Sequence, residues 1–597
     1  DAPMFLNLGL GRMGCLAGTL AAAGPALDLN FIDGSAFSSL VTFTRTTPAT
    51  QFYSDGKRDW APENLCLYGS DFTNAVWVKR GTCAVVANDA TAPDGTTTAD
   101  KITFAGAGND FYLSGVTIPS GTLISPSFYF KKQTASGTFV VQSANAPSSG
   151  EWFVDLALLG SGWERISSTH PAVTVATPFD GTDNIFSGFQ VFQGSGATVV
   201  GWFWGARLQR GTHSLAIDDA IVQTTSAAVY GPRYNDWHPV TLARRGFQIE
   251  EQRTNLALQS GNEADAAWTK TASTVGTGAT GLDGVTASRR ITSSSTTPLL
   301  AQASITVTAS TTYTYSVFLK YVDTNWLRIQ YMDSTFTNGV RGWVNLNGGG
   351  AAALGTVANI GTGSGGAHTL TSLGGGWYLY TLTGVAGTAT AAGPSIRPVT
   401  ADVSSTGVTA VSYDCDGHQL EAGSFATSYI PTTGTSATRA ADVAVISGAN
   451  FTGFYNAAAG SVVAEAAIAA SQPSATQKVV AFSAGATNNR TLTVFVSAGT
   501  PTATVRHVVG GVDSSPSGTP VVTVGATFKA GMSATTGAAA FSFNGSGVST
   551  SAPAAMPTVD RMSIGCDEAG ATQQVTGWLR RIRYYPRALS QAELNAL

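Results

Sequence analysis

The chain says one long sentence twice. Asn64-Leu65-Cys66-Leu67, followed by Phe72-Thr73-Asn74-Ala75-Val76-Trp77-Val78-Lys79, returns as Asn255-Leu256-Ala257-Leu258, followed by Asp265-Ala266-Ala267-Trp268-Thr269-Lys270. Later landmarks keep their order, from Asp94-Gly95-Thr96 against Asp283-Gly284-Val285 to Gly162-Trp163-Glu164-Arg165 against Gly376-Trp377-Tyr378-Leu379. A unit of roughly 150 to 190 residues is far longer than a solenoid repeat. It is a whole domain, present twice.

With 597 residues, the length allows roughly four domains of ordinary size, each able to bury its own core. Charged residues make up 12% of the chain, about half the ~25% of an average protein, and Gly, Thr, Ser, Ala and Val fill the rest. That mixture disfavours long helices, because glycine is entropically costly there and β-branched residues lose side-chain freedom. Short strands and tight turns are the expectation. A net charge of −4, with basic clusters no larger than Arg244-Arg245 and Arg580-Arg581, excludes nucleic acid as a partner. No stretch approaches the ~20 apolar residues of a membrane span, so no membrane insertion is expected.

Five cysteines, at 15, 66, 83, 415 and 566, show no metal spacing and leave one over. They read as reduced thiols, with a Cys66–Cys83 bridge as the alternative. The six histidines include no pair at ligand spacing, and His418 reads as a hydrogen-bonded strand residue. Gly9-Leu10-Gly11-Arg12-Met13-Gly14 matches the letters of a dinucleotide fingerprint, with Asp28 or Asp33 in reach. However, Gly18, Gly24 and Pro25 interrupt the helix that such a unit needs. The stretch Met13 to Ala26 reads as a docking or buried segment. No cofactor and no metal are expected. Asp94, Asp283 and Asp567 sit in loops suited to calcium, but such residues are ordinary turn formers.

Alternating patterns predict strands at Leu27–Phe31, Val41–Arg45, Ser127–Lys131, Phe189–Gln193, Trp202–Leu208, Thr312–Lys320 and Trp326–Tyr331. At the end, Ser590 and Glu593 form a capping box with Leu589 and Leu594 as its hydrophobic staple, so a short helix starts at Gln591. The expected fold class is all-β, as tandem sandwiches. The divisions are an N-terminal segment 1–60, a first jelly-roll module 61–215, a connector 216–253, a second jelly-roll module 254–440 and a third sandwich 441–597.

Three stretches carry a resemblance. They are Val41-Thr42-Phe43-Thr44-Arg45, the run from Arg245 through Glu250-Glu251-Gln252-Arg253-Thr254-Asn255-Leu256, and His418-Gln419-Leu420-Glu421-Ala422-Gly423 through Tyr429-Ile430-Pro431-Thr432, with Ala437-Thr438-Arg439-Ala440-Ala441-Asp442 beyond. Together they resemble the modular virion proteins of tailed bacteriophages and gene transfer agents, in tail fibres, spikes and head fibres. The stretch Gly577 to Leu597 is similar to the closing strand and helix of concanavalin-like and laminin-G-like sandwiches. The resemblance implies carbohydrate-binding-like folds on the particle surface. It further implies attachment to other virion proteins through the N-terminal segment, a host cell-surface glycan as ligand, and a homo-oligomer. The first module departs from the pattern, with Gly205-Ala206-Arg207-Leu208-Gln209-Arg210-Gly211 where the second has Leu420-Glu421-Ala422-Gly423.

Hydrolysis of a glycan needs paired carboxylates. Glu465, Asp513, Asp560, Asp567-Glu568 and Glu593 are scattered, and Glu250-Glu251 point to opposite faces of a strand. The chain is therefore read as a binder and not an enzyme. A structural decoration protein without sugar binding, or a capsule depolymerase, stand as the alternatives. Aromatic rings stacked on sugar C–H faces are the expected means of binding. Trp77, Trp163, Trp268 and Trp377 read as core, and Trp60 and Trp237 as buried against a neighbouring domain. Trp152, Trp326 and Trp343 are the candidate exposed platforms.

Overall fold

The computed structural model describes residues 24–35, 37–105, 109–114, 116, 118–119, 124–134, 137–143, 151–177, 185–186, 189–193, 198–211, 224–302, 304–347, 352–472, 475–570 and 572–597. The Gly9–Gly14 motif and Cys15 lie outside them. Among the described residues the protein is built from strands, with only two short helices, Gly448–Thr452 and Gln591–Ala596. The second helix carries the expected capping box between Ser590 and Glu593, and Leu589 and Leu594 are buried in one cluster beneath it. Neither helix is long and apolar enough to cross a membrane.

Each repeat is a sandwich of two sheets. In the first module the front sheet runs Val173–Thr177, Glu151–Asp155, Thr138–Ser143, Phe189–Gln193, Asp110–Leu113, Trp77–Arg80. The back sheet runs Trp163–Ile166, Ile124–Thr134, Thr198–Arg210, Ala99–Ala105, Ala84–Ala90. In the second module the front sheet runs Ala353–Ile360, Gly339–Asn345, Trp326–Asp333, Ala391–Val399, Leu299–Ala301, Thr269–Thr271. Its back sheet runs Ser364–Gly374, Trp377–Val385, Thr312–Tyr321, Ser412–Ala422, Ala287–Ser293, Ser273–Thr280. The strands that carry the shared landmarks lie in the same spatial order, but the front edge strand follows Trp163–Ile166 in the first module (Val173–Thr177) and precedes Trp377–Val385 in the second (Ala353–Ile360), and the second adds the edge strand Ser364–Gly374. In both modules the chain passes repeatedly between sheets, the jelly-roll habit.

The repeated letters explain this agreement. The Asn64 side chain donates to Ala206 O and accepts from Leu208 N, and Asn255 donates to His418 O and accepts from Leu420 N. Each asparagine thus ties the entry of its module to its last long strand. Trp77 Nε1 donates to Tyr68 O at 3.0 Å and Trp268 Nε1 to Gln259 O at 3.1 Å, with both rings 1% exposed. Lys79 and Lys270 then donate to Asn74 O and Asp265 O. In both long strands a bulge falls on a glycine with positive φ, Gly205 at 61° and Gly417 at 60°, where a side chain would be strained.

The third sandwich is assembled from three separate parts of the chain. One sheet joins Arg233–Trp237, Arg244–Ile249, Gly577–Tyr585, Ala459–Ile468, Thr527–Thr535, Ala538–Phe543 and Ser546–Ser551, and Leu27–Asn30 also pairs with Gly577–Tyr585. The facing sheet starts with Thr42–Thr44 on Val443–Ser447. One core unites Leu27, Leu29 and Val41 with Phe247, Ile249, Val462, Phe482 and Ile582. The segments 1–60 and 216–253, expected as an attachment arm and a connector, thus give strands to this sandwich within residues 27–44 and 233–249. The two jelly rolls are insertions in it.

A buried ionic network fastens the root of the second insertion. Arg45 donates to Asp442 at 2.8 Å, Arg233 pairs with both Asp442 and Glu250, and Arg439 reaches Glu250 at 2.9 Å. Burial alone raises the Glu250 carboxyl, but Arg439 and Arg233 outweigh it and hold it at about 2. Asp442 is likewise lowered, burial being overcome by Arg233, Arg45 and Arg439. Losing one partner of such a group leaves a bare buried charge. Arg45, Glu250, Arg439 and Asp442, which stand in the stretches singled out in the sequence, are therefore structural, the clamp that sets the second module on its base.

Candidate functional site

The front sheet of the second module presents an unusual outer face. On the strand Trp326–Asp333, Leu327, Ile329 and Tyr331 lie in the core, so the two-residue period turns Trp326, Arg328 and Gln330 outward. The registers on either side complete three rows: Val399, Trp326, Asn345; then Arg397, Arg328, Trp343; then Ser395, Gln330, Arg341. Three arginines thereby share one face with two tryptophans.

None of these arginines has a carboxylate partner among the described residues. The Nε atoms of Arg328, Arg341 and Arg397 are buried without a hydrogen-bond acceptor. Arg328 is 5% exposed. Burial first, then the like charges of Arg397 and Arg341, bring its guanidinium down to about 10. Burial also lowers Arg341, and burial with Arg341 lowers Arg397. Elsewhere many arginines are paired with acids, Arg245 with Asp236, Arg580 with Glu465 and Arg581 with Asp28, while Arg207, Arg244 and Arg289 bond amides or carbonyls, each by itself and not in a cluster. An acid-free cluster is costly to the free protein, and an anion placed on it relieves that cost.

The loop 400–407 borders this face. Trp343 Nε1 donates to Ser404 O at 3.0 Å, while Asp402 accepts from Thr356 N and Thr356 Oγ1, both at 2.9 Å. Val403 in this loop, well exposed, adds an apolar rim. Gln330 donates to Ser395 Oγ, which leaves its Oε1 buried with no donor.

The three sequence-predicted platforms fare differently. Trp152 is 2% exposed and points into the first module's core, because its strand is in register to bury Trp152 and Val154 while Phe153 faces out. Trp343 does reach the outer face but is covered by the loop carrying Ser404, and only 4% of it is exposed. Trp326 is half-buried and packs on Gly355, where a Cβ would come 2.7 Å from its ring. None of the twelve tryptophans is an open platform. The half-buried rings of Trp60, Trp202, Trp237 and Trp578 carry Arg210, Lys131, Arg244 and Arg245 on their faces. Trp77, Trp268 and Trp377 are core as expected, while Trp163 is half-buried and donates to Thr91 O. Spacing rules for paired acids and exposed rings give these arginines no weight. The signal lies in Trp326-x-Arg328 and Arg341-x-Trp343, once each is read as a strand whose charged face is turned away from the core.

A second concavity of about 470 Å³ lies where the second module's back sheet meets the third sandwich, lined among others by Phe52, Arg58, Ser316, Phe318, Tyr429 and Trp578. Its charges are already engaged. Arg58 sits 4.5 Å from the Phe318 ring and 4.3 Å from that of Tyr429 and bonds Asp416, while Asp236 accepts from Phe52 N and Trp578 Nε1. It is a seam between packed bodies. The loop acids Asp94 and Asp283 hold their own turns through Thr96 N and Val285 N. Cys66, Cys83, Cys415 and Cys566 are free.

No protein-family model and no curated protein matches the chain. Among solved structures it is similar to the CBM40 of the Ruminococcus gnavus IT-sialidase bound to alpha2,3 sialyllactose, at 14% identity and a TM-score of 0.21, over 25% of this chain and 86% of that one. It is also similar to the CBM22-1-CBM22-2 tandem domain of Paenibacillus barcinonensis Xyn10C, at 13% identity and a TM-score of 0.17, over 64% and 98%. Mouse laminin alpha1 chain domains LG4-5 follow at 8% identity and a TM-score of 0.17, over 58% and 92%. Likeness this distant bears on neither family nor function.

Proposed function

We propose that the chain is a particle-surface protein of the tailed-phage or gene-transfer-agent kind, a fibre or spike, whose second module holds an acidic stretch of host cell-surface polysaccharide without cleaving it. The observation that carries the ligand half of this reading is the face beside Trp326 on which Arg328, Arg341 and Arg397 cluster with no carboxylate partner among the described residues. Guanidinium groups are suited to the carboxylates or sulfates of an acidic glycan, and the half-buried indole edge and the Val403 rim suit its C–H faces. The virion half rests on the three sequence stretches that resemble such proteins. In that setting a weak contact suffices, since many copies on one particle multiply avidity, and a symmetric homo-oligomer attached through its N-terminal segment is the natural form.

The test is binding of the full chain to acidic and neutral capsular polysaccharides at two ionic strengths. Acidic polymers are expected to bind at least about tenfold more tightly, with the difference shrinking in salt. Equal binding to neutral polymers removes the arginine face from the account. No binding to any glycan at high display density favours the second reading, a purely structural virion protein, which the interlocked third sandwich would also suit. Antibody labelling of intact particles by electron microscopy tests the location.

A further inference from the structure

Three side chains meet inside the closed core of the second module. Glu263, Cys415 and His418 are all buried, with their ligand-type atoms within 4.8 Å of one another. Cys415 and His418 flank the bulge at Gly417 on the strand Ser412–Ala422, and Glu263 arrives from the loop ahead of Trp268. His418 Nδ1 lies 2.6 Å from the Tyr315 hydroxyl, and its ring packs on Trp268 at 4.3 Å, which fixes Nε2 toward Glu263. Nε2 comes within 2.8 Å of Glu263 Oε1 but is misaligned, so that Nε2 and both carboxylate oxygens are buried with no hydrogen bond. Within the protein this buried carboxylate is compensated only by a protonated His418, and a cation seated among the three groups relieves it without that proton.

The first module shows that the fold itself does not require this cluster. The asparagine ties match His418 to Ala206, the bulge glycines match Cys415 to Phe203, and the tryptophan pins match Glu263 to Phe72. There the same space is closed by apolar packing, with the Phe72 and Phe203 rings 6.1 Å apart.

We propose that Glu263, Cys415 and His418 bind one divalent transition-metal ion, zinc by the match of a thiolate, an imidazole and a carboxylate. That set of soft and borderline donors suits zinc in tetrahedral coordination. The Tyr315 hydroxyl holds the far ring nitrogen, as outer partners of metal-bound histidines do. The Tyr413 hydroxyl, buried without a partner and two residues before Cys415 on the core side of the same strand, is left for the fourth position or for a water there. Binding releases the Cys415 proton to solvent. The ion staples the entry loop to the last long strand, the job that the edge-to-face Phe72 and Phe203 rings perform in the first module.

The test uses the full chain, purified without chelator from zinc-supplemented cells, and metal content by plasma mass spectrometry. About one zinc per chain is expected, falling below about a tenth in Cys415→Ser and in His418→Gln. Refolding the unmodified chain with cobalt(II) is expected to give a thiolate-to-cobalt charge-transfer absorption, which Cys415→Ser lacks. This second measurement stands even if a variant folds poorly. Metal-free protein that takes up neither zinc nor cobalt on refolding overturns the proposal, as does a full metal content retained by Cys415→Ser.

Discussion

The first and second modules share a skeleton and differ in chemistry. Both keep the asparagine tie, the tryptophan pin, the lysine that closes it and the glycine bulge, at Asn64, Trp77, Lys79 and Gly205 against Asn255, Trp268, Lys270 and Gly417. Yet the outer row that reads Arg328 and Trp343 in the second module reads Val140 and Phe153 in the first, with Glu151 where the second has Arg341. In the core, Phe72 and Phe203 stand where the second module has Glu263 and Cys415. A few residues at the ends of strands hold a jelly roll in shape, and the faces between them are free to take up other work.

The sharpest way to break this comparison is to pull its shared pins. Trp77→Ala and Trp268→Ala are each expected to cost about 3–5 kcal/mol, the range for large buried aromatic truncations, read as two separate losses in chemical denaturation. A neutral Trp268→Ala shows the two modules to be held by different means.

Acid attacks the second module's root. The Glu250 carboxyl is held at about 2 against an ordinary 4.5, so its stabilisation is full above about pH 4.5 and is lost as the pH falls toward 2. That is worth about 3 kcal/mol, and Asp442, also lowered, acts in the same direction. Asp236 and Glu421 oppose it, because burial raises both and the folded state then binds their protons more readily. Melting followed between pH 5 and pH 2.5 is expected to fall net, and a melting temperature that stays flat across this window contradicts the clamp.

Arg328→Gln combined with Arg397→Gln sharpens the difference between the two faces. Binding of an acidic polysaccharide is expected to drop about tenfold, roughly 1.4 kcal/mol, while thermal stability stays level or rises as like charges are removed. Glu151→Gln on the first module's corresponding face is expected to leave binding unchanged. A titration of each variant settles the matter, and equal losses at both faces would falsify the assignment to the second.

The smallest effect concerns a hidden equivalence. Thr432 donates to Ala257 O and accepts from Ser260 N, and Thr224 does the same with Cys66 O and Gly69 N. Thr224→Val and Thr432→Val are each expected to cost about 1 kcal/mol. Matching shifts in denaturation midpoint support one shared latch.

Thr224 also marks how far the letters could be followed. The first module lacks the Tyr-Ile-Pro-Thr run, so alignment by eye finds no partner for Thr432. The hydrogen bonds find one. The tryptophans make the same point from the other side: Trp152 and Trp343 occupy corresponding strands, but a one-residue offset turns one into the core and the other onto the face. Alternation is readable where a strand has one wet side, as at Leu27–Asn30. Which side is wet depends on what packs behind it, and the sequence does not carry that.

By itself the sequence determined the duplication, the all-β class, most long strands and the capped final helix, because these rest on local periodicity and on turn and capping chemistry. Tertiary structure alone decided that strands within residues 27–44 and 233–249 complete the last sandwich, that Arg45, Arg233, Glu250, Arg439 and Asp442 converge, and that Glu263 meets Cys415 and His418. Those contacts join residues up to several hundred positions apart. Their energy comes from burial and charge pairing in three dimensions, for which spacing along a chain has no signal.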